Sequence, residues 1–310
     1  MNRLVAIAVL VVGLLLLAAG VMKLLPGAAG GGGALAFLGI VMLGLSFIPR
    51  TAAADAAGAD AATPPMSETE KITSIFYEPA RVFQELRVRP YWGTAFLIIA
   101  LSVAVYQFAY TQRIGAETIA LATIDKTVEG GFIPAEAAAR ARESAAKSAR
   151  APFTKASGAL NGVVGVFVIM AILAGLYLLG VLMSGARIKF WQAFSVAVFA
   201  ALPVIVLQNL ISLLLLYIKS PDDIDPIKGQ RGLARADLGV LFNPAEHPYL
   251  FVLGSSLGLF TLYGIWLTAT GLRHAGEKVT SGTAWSISIG LWVLGLLLGL
   301  GAAALFPTFL

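Results

Sequence analysis

An all-α, polytopic transmembrane helix bundle of about seven spans is the fold class this sequence predicts, on three observations. The 310 residues are 58% hydrophobic and only 13% charged, with a mean hydropathy of +0.84. Soluble domains run at roughly 45–50% apolar and about 25% charged. An apolar excess this large does not fit inside a soluble core of this size, so the bilayer must act as part of the solvent. The charges also fall in groups, and the gaps between them are long enough to cross a hydrocarbon layer of about 30 Å with about 20 apolar residues each. Finally, cysteine is absent and the only histidines are His247 and His274. That excludes disulfides, thiol catalysis, thiolate metal sites and multi-histidine metal sites.

Taken in order, Arg3 and Lys23 bracket a first span, Leu4–Met22. A shorter run, Ala34–Ile48, lies between the Gly-rich "GAAGGGG" and Arg50; it reads as a second span, with a re-entrant segment as the alternative. Arg89 and Arg113 bracket Trp92–Thr111, Lys155 and Arg187 bracket Ala159–Ser184, and Lys189 and Lys219 bracket Trp191–Ile218. Glu246 and Arg273 bracket Tyr249–Leu272, and Ala284–Phe306 follows the last charge, Lys278. Arg3, Arg50, Arg87, Arg89, Arg187, Lys189, Arg273 and Lys278 then share one side. Basic residues at span ends and in short loops mark the cytoplasmic side, which puts the N-terminus inside and the C-terminus outside a cell inner (plasma) membrane. The opening "MNRLVAIAVLVVGLLLLAAG" also has the look of a signal peptide, but its apolar run exceeds the usual 7–15 residues.

Three units result: an N-terminal hairpin (1–50), a small-residue cytoplasmic linker (51–71) and a membrane domain (72–310). The linker "TAAADAAGADAATPPMSETE" has nothing to build a core with, so it is expected to be flexible. After it, Ile75, Phe76, Val82, Phe83 and Leu86 recur at helical spacing, with Glu78, Arg81 and Glu85 on the other face and Pro79 suited to a first helical turn. With Arg87, Arg89 and Trp92 beyond it, this segment reads as an in-plane interfacial helix whose apolar face enters lipid. Glu78, Arg81, Phe83, Glu85, Leu86, Arg87 and Arg89 are therefore the candidate lipid- and partner-docking residues. In the outer loop, "PAEAAARARESAAKSAR" reads as a solvated helix with Glu136–Arg140 and Glu143–Lys147 at favourable i,i+4 spacing.

The motif that most resembles catalysis is "GSSLG", Gly254–Gly258, which matches G-x-S-x-G. A nucleophile elbow needs a strand before the serine and a helix after it, whereas this stretch lies in an uncharged span. Gly254 and Gly258, like Gly295 and Gly299, are read instead as G-x-x-x-G pairs that let helices pack closely. No Asp, Glu, Lys or Arg falls inside an assigned span, which disfavours an ion-coupled transporter. Pro203 should kink its span, and with Gln208 and Asn209 it forms a candidate polar cavity. "SPDDIDP" lacks the glycine and distal glutamate of a calcium loop and reads as a solvated turn. No cofactor or metal is expected. The net charge of +5 without a basic–aromatic block argues against nucleic acid.

Four stretches together carry a family resemblance. "FYEPARVFQELRVRPYWGTAFLI" resembles the opening of the Yip family membrane domain, named for Ypt/Rab-interacting proteins. "GARIKFWQAFSVAVFAALPVIVLQNL" is similar to its third span, "SSLGLFTLYGIWLTATGLR" to its fourth and "SGTAWSISIGLWVLG" to its last. The resemblance covers about 72–310 and implies five spans, a cytoplasmic N-terminal side, a non-cytoplasmic C-terminus and no catalytic residues. The extra hairpin and Ala/Gly-rich composition look bacterial, so Rab-type GTPase binding is not carried over. The resulting expectation is a non-enzymatic scaffold or accessory to membrane partners or transport machinery, in contact with lipids and unidentified membrane proteins and open to homo-oligomerisation. The alternative is a permease or transporter subunit using the cavity near Pro203, Gln208 and Asn209.

Overall fold

The computed structural model describes residues 3–48 and 65–306. Twelve α-helices make up these residues: α1 (Arg3–Val21), α2 (Ala28–Leu45), α3 (Glu68–Ser74), α4 (Pro79–Val88), α5 (Gly93–Ile114), α6 (Ala116–Glu129), α7 (Ala135–Ala149), α8 (Thr154–Met183), α9 (Phe190–Ile218), α10 (Pro248–Ser256), α11 (Leu259–Ala275) and α12 (Ser281–Leu305). Six of them, α1, α2, α5, α8, α9 and α12, are long and apolar enough to cross a membrane. The chain is a multi-pass membrane protein. The seventh expected span, Tyr249–Leu272, exists as two helices, α10 and α11, rather than one.

The α1–α2 hairpin forms because glycine lets two apolar helices touch backbone to backbone. A Cβ on Gly13 would lie 2.2 Å from the Ala36 nitrogen, and one on Gly32 would lie 2.2 Å from the Leu17 nitrogen. In lipid, where apolar side chains gain little by leaving their surroundings, such close packing drives association. The Gly-rich run that the expected span left out is therefore the first part of α2, a continuous helix of 18 residues, long and apolar enough to cross a membrane. The hairpin is pinned to α8 at its turn, where Ser157 Oγ donates to the Gly27 carbonyl at 2.6 Å.

At the end of the bundle carrying the chain's N-terminus, the core is aromatic. Trp92 stacks on Trp191 with centroids 6.2 Å apart, and Phe194 meets Trp92 edge-on at 4.9 Å. Onto this packs α4, and here the interfacial-helix expectation is corrected. Val82, Phe83 and Leu86 are fully buried inside the chain, not in lipid. Gly271 of α11 leaves the slot: a Cβ there would meet the Phe83 ring at 3.0 Å and Val196 at 2.6 Å. Gln192, buried in the first turn of α9, completes the joint by accepting from its own N-cap amide of Lys189 at 2.8 Å and donating to the Arg87 carbonyl at 2.6 Å. Leaving such groups bare in a low-dielectric interior costs about 1–3 kcal/mol each. The linker is also shorter than its composition suggests. Residues 51–64 lie outside the described residues, but Met66 is buried and Ser67 caps α3 by accepting from the Glu70 amide at 3.1 Å.

At the opposite end, α6 and α7 form a solvent-side hairpin after Gly115, whose φ of +95° turns the chain out of α5. The helix α7 was legible; α6 was not. They are held by Arg142–Asp125 at 2.8 Å and Arg150–Glu117 at 2.7 Å. Among the described residues the i,i+4 pairs expected within α7, Glu136–Arg140 and Glu143–Lys147, are not formed; its ion pairs run across to α6 from Arg142 and Arg150 instead. The hydrogen bond from Arg150 holds the Glu117 carboxyl below its ordinary value.

Truncating a buried phenylalanine to alanine typically costs about 3–5 kcal/mol, and an exposed one about 0.5 kcal/mol or less. Phe83→Ala should therefore lower the thermal midpoint of the detergent-solubilised protein by many degrees while Phe76→Ala leaves it unchanged. Equal midpoints for the two variants would mean that α4 is not docked in the core.

A candidate site at the broken span

The uncharged run 248–272 breaks at Leu257, which leaves the helical region, and at Gly258, which is extended. A broken helix in a membrane protein frees amides and carbonyls that hydrocarbon does not solvate. Here the loop 219–247 meets that need. Its residues 236–238 lie antiparallel to the break, with Leu259 N donating to the Ala236 carbonyl at 2.9 Å and Leu238 N to the Leu257 carbonyl at 3.4 Å. Trp292 of α12 adds its indole N–H to the Ser256 carbonyl at 3.1 Å.

The "GSSLG" motif is thus neither an elbow nor the middle of a continuous helix, and the helix-packing expectation is corrected in part. Gly254 and Gly258 face loop backbone rather than another helix: a Cβ on Gly254 would lie 2.8 Å from Gly239 N, and one on Gly258 3.1 Å from the Ala236 carbonyl. Gly299 does meet a helix, with Val252 of α10 at 3.2 Å, while Gly295 faces open space. Ser256 Oγ donates back to the Leu253 carbonyl at 2.7 Å, and His247 lies at the far end of α10 as its N-cap.

A cavity of about 100 Å³ opens beside the break, lined by Gln208, Ala234, Asp237, Ser255, Phe260 and Thr261 among others. Arg235 donates to Asp237 at 3.0 Å and to Ser255 Oγ at 3.1 Å. Asp237 in turn accepts from the Gly239 amide at 2.9 Å. Ser212 of α9 accepts from both Leu233 and Ala234 amides at 3.0 and 2.9 Å, so the loop is fastened at several points along α9. It is also fastened to α5, where Tyr106 and Tyr110 hydroxyls donate to the carbonyls of Gly229 and Asp225 at 2.6 and 3.0 Å. "SPDDIDP" is a turn, as expected: Asp225 Oδ1 accepts from the Ile227 and Lys228 amides.

The single cavity expected around Pro203, Gln208 and Asn209 is not found in that form. Consecutive residues of a helix point about 100° apart, and Gln208 and Asn209 accordingly line different cavities. Asn209 faces an apolar cleft of about 210 Å³ between α5 and α9 and donates to Ser102 Oγ at 3.1 Å. Pro203 is buried in α9 and lines neither of these two. The loop residues Arg235 and Asp237 escaped sequence reading, although "ADLG" carries an Asx-turn signature before Gly239.

With six helices long and apolar enough to cross a membrane, and the seventh expected span split in two and stitched by a loop, the chain is an α-helical integral membrane protein. It belongs to the Yip1 domain family: the family model matches residues 73–303, leaving the α1–α2 hairpin outside it. Neither the curated proteins nor the solved structures contain a match.

Forcing a bulky side chain between packed backbones costs about 1–3 kcal/mol. Gly254→Leu should therefore lower the thermal midpoint and expose Arg231 and Arg235 to trypsin, whereas Gly295→Leu on its open face should do neither. Equal effects from the two would contradict the loop–break contact.

Proposed function

We propose that the protein is a non-enzymatic scaffold of a bacterial inner membrane, with its N-terminus cytoplasmic, and that it holds membrane partners on the α3–α4 unit. The observation that carries this is the contrast between the two faces of that unit. Its apolar side is locked into the bundle by Phe83 and Leu86. On its outer side Tyr77 is 68% exposed, and the Arg81 side chain is 57% exposed while bridging Glu70 at 2.8 Å and Glu78 at 3.6 Å. A surface fixed to rigid elements presents its groups with little ordering cost on binding.

Within the candidate docking set, Glu78 and Arg81 stand on this outer face. Glu85 is only 12% exposed and paired to Arg89 at 3.0 Å, so those two serve to stiffen the helix. Arg87 contributes its carbonyl to the Gln192 joint. The short-loop arginines and lysines at this end support its cytoplasmic placement. The permease reading rests on the cavities that Asn209 and Gln208 line: an apolar cleft of about 210 Å³ between α5 and α9, and the cavity beside the broken span, which resembles in principle the unwound sites of transporters. At about 100 Å³ that cavity has room for about three waters, which favours the scaffold.

Photo-cross-linking in native membranes tests the proposal. A benzophenone side chain at Tyr77 should capture a discrete partner, and Arg81→Glu should reduce that adduct at least five-fold with the thermal midpoint unchanged. Adducts from Ala145 on α7 but none from Tyr77 would place docking at the other end and overturn it.

A further inference from the structure

Arg235 sits in a socket whose walls come from two parts of the chain. Its own loop supplies the carboxylate. Arg235 Nη2 donates to Asp237 Oδ1 at 3.0 Å and Nε to Oδ2 at 3.4 Å, the two-point grip that suits a planar guanidinium. The helix α10 supplies the rest. Ser255 Oγ accepts from Nη2 at 3.1 Å. One turn earlier, the Phe251 ring lies beneath the guanidinium carbon, which is 4.9 Å from the ring centroid. Gly239 leaves room for this meeting: a Cβ there would overlap Ser255 Oγ and lie 2.7 Å from Asp237 Oδ1 and 2.9 Å from Arg235 Nη2. The Gly239 amide also holds Asp237 in place, at 2.9 Å. Lys228 Nζ lies over the same ring at 5.7 Å, but among the described residues it bonds neither Asp237 nor Ser255.

The socket borders the cavity beside the break, since Asp237 and Ser255 both line it. Ser255 also belongs to the last turn of α10, and the C-terminal end of a helix favours positive charge. Broken helices in transporters use such ends, with unwound carbonyls, to hold a free cation. Here that position is taken by the chain itself. We propose that Asp237, Ser255 and Phe251 form a binding site for a guanidinium-type cation, that Arg235 occupies it in cis, and that this occupancy latches the loop 219–247 to α10. Lysine would not serve as well, because an ammonium is a point charge that neither grips both carboxylate oxygens nor lies flat on a ring. With its ligand covalently attached the site is permanently filled, which agrees with a scaffold rather than a permease. The latch lies away from the α3–α4 docking face and does not depend on it.

Chemical rescue of the purified full-length protein in detergent provides the test, read by the thermal midpoint and by trypsin cleavage after Arg231. Arg235→Ala should lower the midpoint by a few degrees and speed the cleavage at least five-fold. Guanidinium chloride at tens of millimolar, far below denaturing strength, should restore at least half of both losses in this variant and change neither in the parent. Sodium chloride at the same concentration should restore neither. Adding Asp237→Asn to Arg235→Ala should abolish the rescue, and adding Phe251→Leu should weaken it. Arg235→Lys should fall between the parent and Arg235→Ala. If Arg235→Ala does not survive extraction, guanidinium in the extraction buffer should recover folded protein. Absence of recovery by guanidinium overturns the site, as does equal recovery by sodium chloride or undiminished recovery in Arg235→Ala/Asp237→Asn. Arg235→Lys behaving like the parent overturns guanidinium as the preferred cation. Arg235→Ala as stable and as protected as the parent overturns the latch.

Discussion

Hydrocarbon offers backbone polar groups no hydrogen bonds, so every one of them must be satisfied within the protein. The helix pair α10–α11 does not meet that requirement alone. Broken at Leu257–Gly258, it relies on residues 236–238 for the missing partners, and that dependence fixes the position of the whole loop 219–247. Once the loop is tied to the break, its other attachments follow: Ser212 and Gln208 of α9 hold Leu233 and Ala234, and Tyr106 and Tyr110 of α5 hold Gly229 and Asp225. The basic cluster around Phe251 is a consequence of the same placement, because Lys228 and Arg235 ride on the loop.

A second joint, at the other end, uses packing instead of backbone pairing. Phe83 fills the space left by Gly271, and Gln192 connects the start of α9 to the end of α4. The loops at this end are themselves tied together by the antiparallel bridge Arg187–Glu277. The result is a bundle whose two ends are differently built. One presents a short helical unit on an aromatic floor, the other a folded loop and a solvated helix pair. In this member of the Yip1 domain family, the division gives the α3–α4 unit a rigid floor.

Much of the membrane architecture was legible because charge marks the ends of apolar helices. Lys155, Arg187, Lys189 and Lys219 frame α8 and α9 closely. The same signal is blind inside a span. Leu257 and Gly258 interrupt a run that is apolar on both sides, and the glycines and serines of "GSSLG" that mark the break are also ordinary packing residues of membrane helices. The apolar stripe of α4 was also plain in the sequence, but a stripe does not say what covers it. Its partner, Gly271, is far along the chain, and lipid was the nearer inference. The loop site was hidden for the same reason: Arg235 and Asp237 look like solvated charges until Ser255 is brought beside them. The start of α2 was misplaced because consecutive glycines ordinarily signal a loop; tight contact with α1 overrides that propensity.

The central claim is that α10 and α11, although broken, together cross the membrane once, so that the loop stitched to the break and the α11–α12 connection lie on opposite sides. The absence of native cysteine makes this directly measurable with single cysteines at Ala245 and Glu277, both exposed, probed in intact cells with a membrane-impermeant maleimide. Ala245→Cys should be labelled from outside and Glu277→Cys only after the membrane is opened. Labelling of both from the same side would contradict it.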